Sequence, residues 1–94
     1  MYTVVRRYTG ASSLARAMVE RHKEVEGVLR GVPGFQAYYA LRSSDGTVAT
    51  ITVCDDHTGT TESTRRAAAW VREHMAGVSI TPADITEGET FLNF

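Results

Sequence analysis

Phe35-Gln36-Ala37-Tyr38-Tyr39-Ala40-Leu41-Arg42-Ser43-Ser44-Asp45-Gly46-Thr47-Val48-Ala49-Thr50-Ile51-Thr52-Val53-Cys54-Asp55 is the stretch from which the fold is read. Phe35 to Arg42 and Thr47 to Asp55 are rich in aromatic and β-branched residues, and Ser43-Ser44-Asp45-Gly46 between them is a hairpin signal. Phe35, Ala37, Tyr39 and Leu41 make one apolar face and Ala49, Ile51 and Val53 another, all at odd positions. Paired residues in an antiparallel hairpin share a face, so their numbers must sum to an even total. A two- or four-residue loop gives an odd sum, so the expectation is a three-residue loop, Ser44-Asp45-Gly46, with Gly46 left-handed. The odd face, being the more apolar, is expected to meet the helices.

Upstream, Tyr2 to Tyr8 reads as a strand that ends at Thr9-Gly10. Ser12-Ser13 opens a helix whose stripe Leu14, Met18, His22, Val25 and Leu29 follows a 3.6-residue period, and Gly31-Val32-Pro33-Gly34 stops it. Downstream, His57 to Thr61 is a polar connection into a second helix with Ala67, Trp70, Val71 and His74 on one side, running to about Met75 with Gly77 as its stop. Thr81-Pro82-Ala83-Asp84 is a loop, and Ile85 to Phe94 a last strand. The order β-α-β-β-α-β predicts an α+β, ferredoxin-like domain: a four-stranded antiparallel sheet with two helices on one face.

Ninety-four residues hold one domain, 1–94, and at this size only about 60–65% of the unfolded surface is buried. Ten Lys+Arg against 11 Asp+Glu leave a net charge of −1, which excludes nucleic acid as the default partner. No apolar run approaches a membrane span and the N-terminus lacks a secretory signal's order, so the expectation is no membrane and a cytoplasmic location. Cys54 is the single cysteine, which fits a reducing compartment and excludes an internal disulfide. With both helices on one side, the other face of the sheet is left over. Its expected members, Gln36, Tyr38, Ala40, Arg42, Val48, Thr50, Thr52 and Cys54, are too apolar for water and too polar for a core, which suits a homodimer seam.

The element order, the chain length and Val32-Pro33-Gly34-Phe35 at the helix-to-strand step resemble the antibiotic-biosynthesis-monooxygenase-like (ABM) domains. Thr52-Val53-Cys54-Asp55-Asp56, Glu62-Ser63 with Ala67-Ala68-Ala69-Trp70, and Ile85-Thr86-Glu87-Gly88-Glu89 resemble small bacterial members of that group without an assigned activity. The resemblance covers essentially the whole chain. It implies a dimeric α+β barrel with a pocket between sheet and helices, on a fold that hosts cofactor-independent oxygenases, haem-degrading enzymes and isomerases. The oxygenases of the family use an Asn on the first strand, a Trp, and Tyr or Arg groups; the haem-degrading members use an Asn on the first strand with a Trp and a His on the second helix. The chain departs from both patterns: its only Asn is Asn93, and Trp70 and His74 stand four apart, closer than in the haem-degrading pattern.

Six residues are candidates for chemistry. His22, His74 and Tyr39 are candidate catalytic groups: His22 because it falls on the apolar stripe, His74 because it shares a helix face with Trp70, and Tyr39 because it belongs to the odd face. Trp70 as a stacking wall, Arg7 as the holder of an anionic group and Tyr38 are the candidate substrate-binding residues. Each has a structural alternative: Trp70 as a core anchor, His74 as a helix C-terminal cation, His22 as a ring bonded to backbone, Arg7 in a pair with Glu87 or Glu89, Tyr38 in the dimer seam. Asp55-Asp56-His57 reads as a cap and turn, because three adjacent groups on a strand cannot face one ion. No metal and no cofactor is expected. The functional reading is a homodimer acting on a small planar organic molecule as a cofactor-independent monooxygenase or related enzyme. The alternative is a non-enzymatic ligand-binding or structural dimer, with a haem-binding or haem-degrading protein placed behind both.

Overall fold

The structure, a computed structural model, describes residues 1–75, 80 and 82–94. The elements are β1 (Tyr2–Tyr8), α1 (Ser12–Glu20), α2 (His22–Arg30), β2 (Phe35–Arg42), β3 (Val48–Cys54), α3 (His57–His74) and β4 (Asp84–Glu89). The sheet order is β2-β3-β1-β4, with every pairing antiparallel. The expected helix stop at Gly77 and loop position Thr81 lie outside the described residues. The last strand ends at Glu89 rather than Phe94, and Phe91, Leu92 and Phe94 are exposed.

The hairpin follows the parity argument from Ala37 to Arg42, whereas Phe35 pairs with Cys54 across a bulge and so lies on the even side. Tyr39 pairs with Ile51 and Arg42 with Val48. Ser43 N donates to Thr47 O at 2.9 Å, so Ser44, Asp45 and Gly46 form the loop, and Gly46 has φ +87°. Burdening that position with a Cβ strains the backbone, which is why glycine stands there.

The expected connection His57 to Thr61 is instead the start of α3, capped by Asp56, and two larger expectations are corrected. The first helix is two helices. Arg21 has φ −116° and ψ 33°, closing α1 and opening α2. Its neighbour His22 turns back, and Nδ1 donates to Val19 O at 3.1 Å. The ring thereby satisfies a carbonyl that the break deprives of a helical donor, and His22 is exposed rather than aimed at the sheet. The second correction concerns the faces. The even-numbered residues lie under the helices: Val4, Arg6, Tyr8, Val48, Thr50, Thr52 and Cys54 are all buried. The odd-numbered residues face away, with Tyr39 60% and Leu41 52% exposed. Hydroxyls, not aliphatics, dominate the middle of the covered face, because a buried cation needs them there. The aliphatic core sits to one side: Tyr8, Leu14, Val48, Trp70 and Val71 pack together, with Met18, Val25 and Val28 against them. Fully burying a side chain such as Leu14 contributes about 1.5–3 kcal/mol.

Candidate functional site

The site begins at Arg6, in the middle of the central strand β1 and on its helix-facing side. Only 1% of it is exposed. Thr50 stands directly across in β3 and Thr52 one pair further along. Nε donates to Thr50 Oγ1 at 3.2 Å and Nη2 to Thr52 Oγ1 at 2.6 Å; from above, Nη1 donates to Thr64 Oγ1 at 2.8 Å and Ser63 Oγ at 3.3 Å on α3. Among the described residues no carboxylate hydrogen-bonds to it. A guanidinium does not lose its proton in a protein, so a positive charge stands in the interior held by neutral dipoles. Burial pulls its pKa down, against Tyr8, Tyr38 and Glu87, which pull it up.

Two phenols face this cation. Burial pushes Tyr38 up to about 12, while Arg6 and the Thr50 hydroxyl pull the other way. Tyr8 is raised for the same first reason and opposed by the same two groups. Between them and the helices lies an apolar cavity of about 30 Å³, with Tyr8, Tyr38, Thr50 and Trp70 in its wall beside aliphatic side chains of α1 and α2. Water needs about 10–15 Å³ of such space, so the chamber takes about two waters; organic-ligand sites run to about 300 Å³ and more. A second, open depression of about 410 Å³ follows the edge between α2 and β2, bounded by His22, Glu26, Arg30, Phe35, Tyr38 and Tyr39 among others.

A clasp closes the chamber on the α3 side. Trp70 Nε1 donates to Glu24 Oε1 at 3.3 Å, and His74 Nε2 lies 2.6 Å from the same oxygen. His74 Nδ1 donates to Trp70 O at 3.0 Å, and the imidazole stacks on the indole with centroids 4.4 Å apart. Both ring nitrogens are thereby engaged. Glu24 thus ties α2 to α3.

The six candidates therefore separate. Trp70 and Tyr38 line the inner chamber. His22, Tyr39 and Tyr38 border the outer groove. Tyr39 stands on the open face and Tyr38 on the covered one, the reverse of the expectation. His74 is engaged by Glu24 and is not in the chamber wall. Arg7 is on the open face and pairs at 3.6 Å with Asp84, its cross-strand partner, rather than with Glu87 or Glu89. In the Asp55-Asp56-His57 run, Asp56 caps α3 by accepting from Thr58 N at 3.0 Å, and His57 Nε2 meets Glu87 at 2.6 Å. No cluster of metal-ligating side chains occurs among the described residues, and no helix there is long and apolar enough to cross a membrane. Arg6, Tyr8 and Glu24 are not among the six candidates. The signal for Arg6 was readable: a cation in a central strand whose even-numbered neighbours across the ladder are threonines.

No protein-family model matches the chain, and no curated protein does. Solved structures do. NE2512 of Nitrosomonas europaea, described as a protein of unknown function, superposes with a TM-score of 0.70 at 15% identity over 99% of this chain and 91% of its own. SnoaB of Streptomyces nogalater, described as a cofactor-independent oxygenase, gives 0.64 at 20% identity over 98% and 94%. A variant of MhuD carrying two manganese protoporphyrin IX molecules per active site gives 0.71 at 16% identity over 100% and 98%. With the strand order, the hairpin register and the helices on one face, the chain has the ferredoxin-like α+β fold of the ABM domains that its sequence resembles.

Proposed function

We propose that this chain is a cytoplasmic homodimer that binds a small planar organic molecule between its helices and its sheet, and that it acts on it as a cofactor-independent oxygenase. One observation carries the reading: Tyr8, Tyr38 and Thr50 converge on an apolar chamber directly beside a buried guanidinium with no carboxylate among its bonds. There Arg6, reaching the chamber through Thr50, opposes the cost that burial puts on an ionised ligand hydroxyl or enol, the form that gives an electron to dioxygen. The likeness to SnoaB supports the oxygenase side. The small inner chamber and the engagement of both His74 nitrogens favour the second reading, a ligand-binding dimer without catalysis.

Haem fits poorly. His74, the histidine that the haem-degrading pattern would use, has both ring nitrogens engaged, by Glu24 and by the Trp70 carbonyl.

The homodimer rests on the open face. Val5, Ile51 and Tyr39 form its central row, Ala37, Ala49, Val53 and Leu41 flank them, and the exposed Leu92 and Phe94 lie at one end. An apolar sheet face of this kind is unusual against water and ordinary at a subunit seam. The activity is tested with a naphthohydroquinone in chelator-treated buffer. Oxygen uptake above the protein-free rate, lost in Tyr8→Phe, is the expected result. Uptake at the background rate together with tight naphthohydroquinone binding moves the protein to the second reading.

A further inference from the structure

Three side chains, Val25, Leu29 and Tyr38, stand in the walls of both the inner chamber and the outer groove. Two of them are aliphatic residues of α2, fixed by the clasp of Glu24 on Trp70 and His74 and by Arg66 Nη1, which donates to Val28 O at 3.3 Å. The third is an aromatic ring on β2, an edge strand with open space on its groove side. The chamber is about 30 Å³ and holds Tyr8 and Thr50, the groups next to Arg6; the groove is about 410 Å³, has His22, Glu26, Arg30 and Gln36 on its walls, and reaches neither Tyr8 nor Thr50. The chamber alone is too small for an organic molecule, and the groove alone does not bring one to Thr50. Their union does both, and the Tyr38 ring is the partition.

We infer that Tyr38 is a swinging gate between the two spaces, and that the ligand site is the groove joined to the chamber once the ring has turned outward. This inference rests on the ligand reading above. The occupant is a planar conjugated molecule with a hydroxyl or carbonyl on its leading edge. Its body lies in the groove along α2, where Arg30 already covers the Phe35 ring with its guanidinium 5.9 Å from the centroid. Its leading edge takes the place of the Tyr38 ring, against the Trp70 face and next to the Thr50 hydroxyl. Rotation about χ1 of a side chain on an edge strand moves between staggered wells and leaves the ladder intact. Tyr38 thereby sets how thick and how wide a ligand is admitted, while Thr50, Tyr8 and Arg6 set what its head must be.

Trp70 is the only tryptophan in the chain, forms part of the chamber wall and is 7% exposed, so its fluorescence reports access to the chamber. Acrylamide quenching is measured on the full chain for the wild type, Tyr38→Ala, Tyr38→Phe and Arg30→Ala. The Stern–Volmer constant is expected to rise threefold or more in Tyr38→Ala, and to stay at the wild-type value in Tyr38→Phe, which keeps the ring, and in Arg30→Ala, which opens only the groove rim. If Tyr38→Ala has no cooperative melt, Tyr38→Val, a good strand former, replaces it. A constant in the alanine or valine variant equal to the wild type's, or an equal rise in Arg30→Ala, overturns the gate. Naphthol, added to the same variants, is expected to bind faster to Tyr38→Ala than to the wild type. Its failure to bind any variant, with the quenching contrast intact, confirms the gate and removes the ligand reading of the previous subsection.

Discussion

Ile51→Arg is the sharpest perturbation of the proposed dimer. Ile51 is in the centre of the open face, paired with Val5 on one side and Tyr39 on the other, in the middle strands of the sheet. In a lone chain the new guanidinium points into water, and the monomer's own core, on the opposite face, is untouched. In a twofold dimer seated on that face each copy buries one unpaired charge. A charge left without its partner costs about 3 kcal/mol at the low end, and two of them about 6 kcal/mol. At about 1.4 kcal/mol per tenfold, the dissociation constant rises by about four orders of magnitude. Val19→Arg is the control: Val19 is 61% exposed on α1, away from the open face, and its replacement leaves assembly as it was. Sedimentation velocity across a hundredfold concentration range reads the equilibrium, and far-UV circular dichroism checks that both variants are folded. A folded Ile51→Arg protein that sediments as a dimer at the wild-type concentrations refutes the seam, as does a wild type that is a folded monomer throughout.

Two glycine replacements separate backbone conformation from space. Gly46→Ala meets nothing within 4 Å but holds φ +87°, so urea unfolding followed by Trp70 emission should show a loss of about 1 kcal/mol. Gly59→Ala places a Cβ 2.2 Å from Pro33 O and 2.7 Å from Cys54 Cβ, buried atoms with little room to give, and should cost about 3 kcal/mol or prevent folding; a Gly59 loss no larger than the Gly46 loss contradicts the close approach of α3 to β3. Acid acts through two surface carboxyls. Bonds from Ser43 and Thr47 hold Asp45 at about 2 against its ordinary 3.8, and bonds from Arg65 and Arg66 hold Glu62 at about 2 against 4.5. A depressed carboxyl stabilises the fold above its unfolded value and loses that contribution as pH falls through the folded one. The melting temperature should therefore decline between about pH 4.5 and pH 2, less steeply in Asp45→Asn, and an unchanged slope in that variant removes Asp45 from the account.

What could be read from residues alone was periodic or covalent. Alternation, the Asp45-Gly46 turn and the even sum of paired positions determine the hairpin without reference to anything outside it, and the strand order follows from the succession of elements. The break at Arg21 has no comparable signal. Leu14, Met18, Val25 and Leu29 keep a helical period straight through it, no Gly or Pro marks it, and the group that makes it tolerable is the His22 ring on the Val19 carbonyl, a contact that exists only after the chain has bent. For the same reason His22 looked like a buried base on the helical wheel. Likewise, Trp70 and His74 were readable as neighbours at four-residue spacing, but Glu24, 46 residues from Trp70 in sequence, is brought to them only by the packing of α2 on α3.

The choice of face turns on a different kind of information. In a sheet of which one side takes helices and the other is proposed to take a second copy, both sides are removed from water, and apolar content no longer distinguishes core from seam. What distinguishes them is the cation. Arg6 alternates onto the same side as Thr50 and Thr52, and a guanidinium at the centre of a sheet is stable only where acceptors surround it from both layers. A second copy of the sheet has to supply those acceptors across a twofold axis, with a like charge from its own Arg6 close by. A helix crossing above supplies them freely, and α3 does so through Ser63 and Thr64. The threonine-lined side must then be the helix side, leaving Tyr39, Leu41 and Ile51 for the seam. The polarity that made the even face look like a wet interface is the solvation shell of one buried charge, and through Thr50 the same charge stands behind the chamber wall.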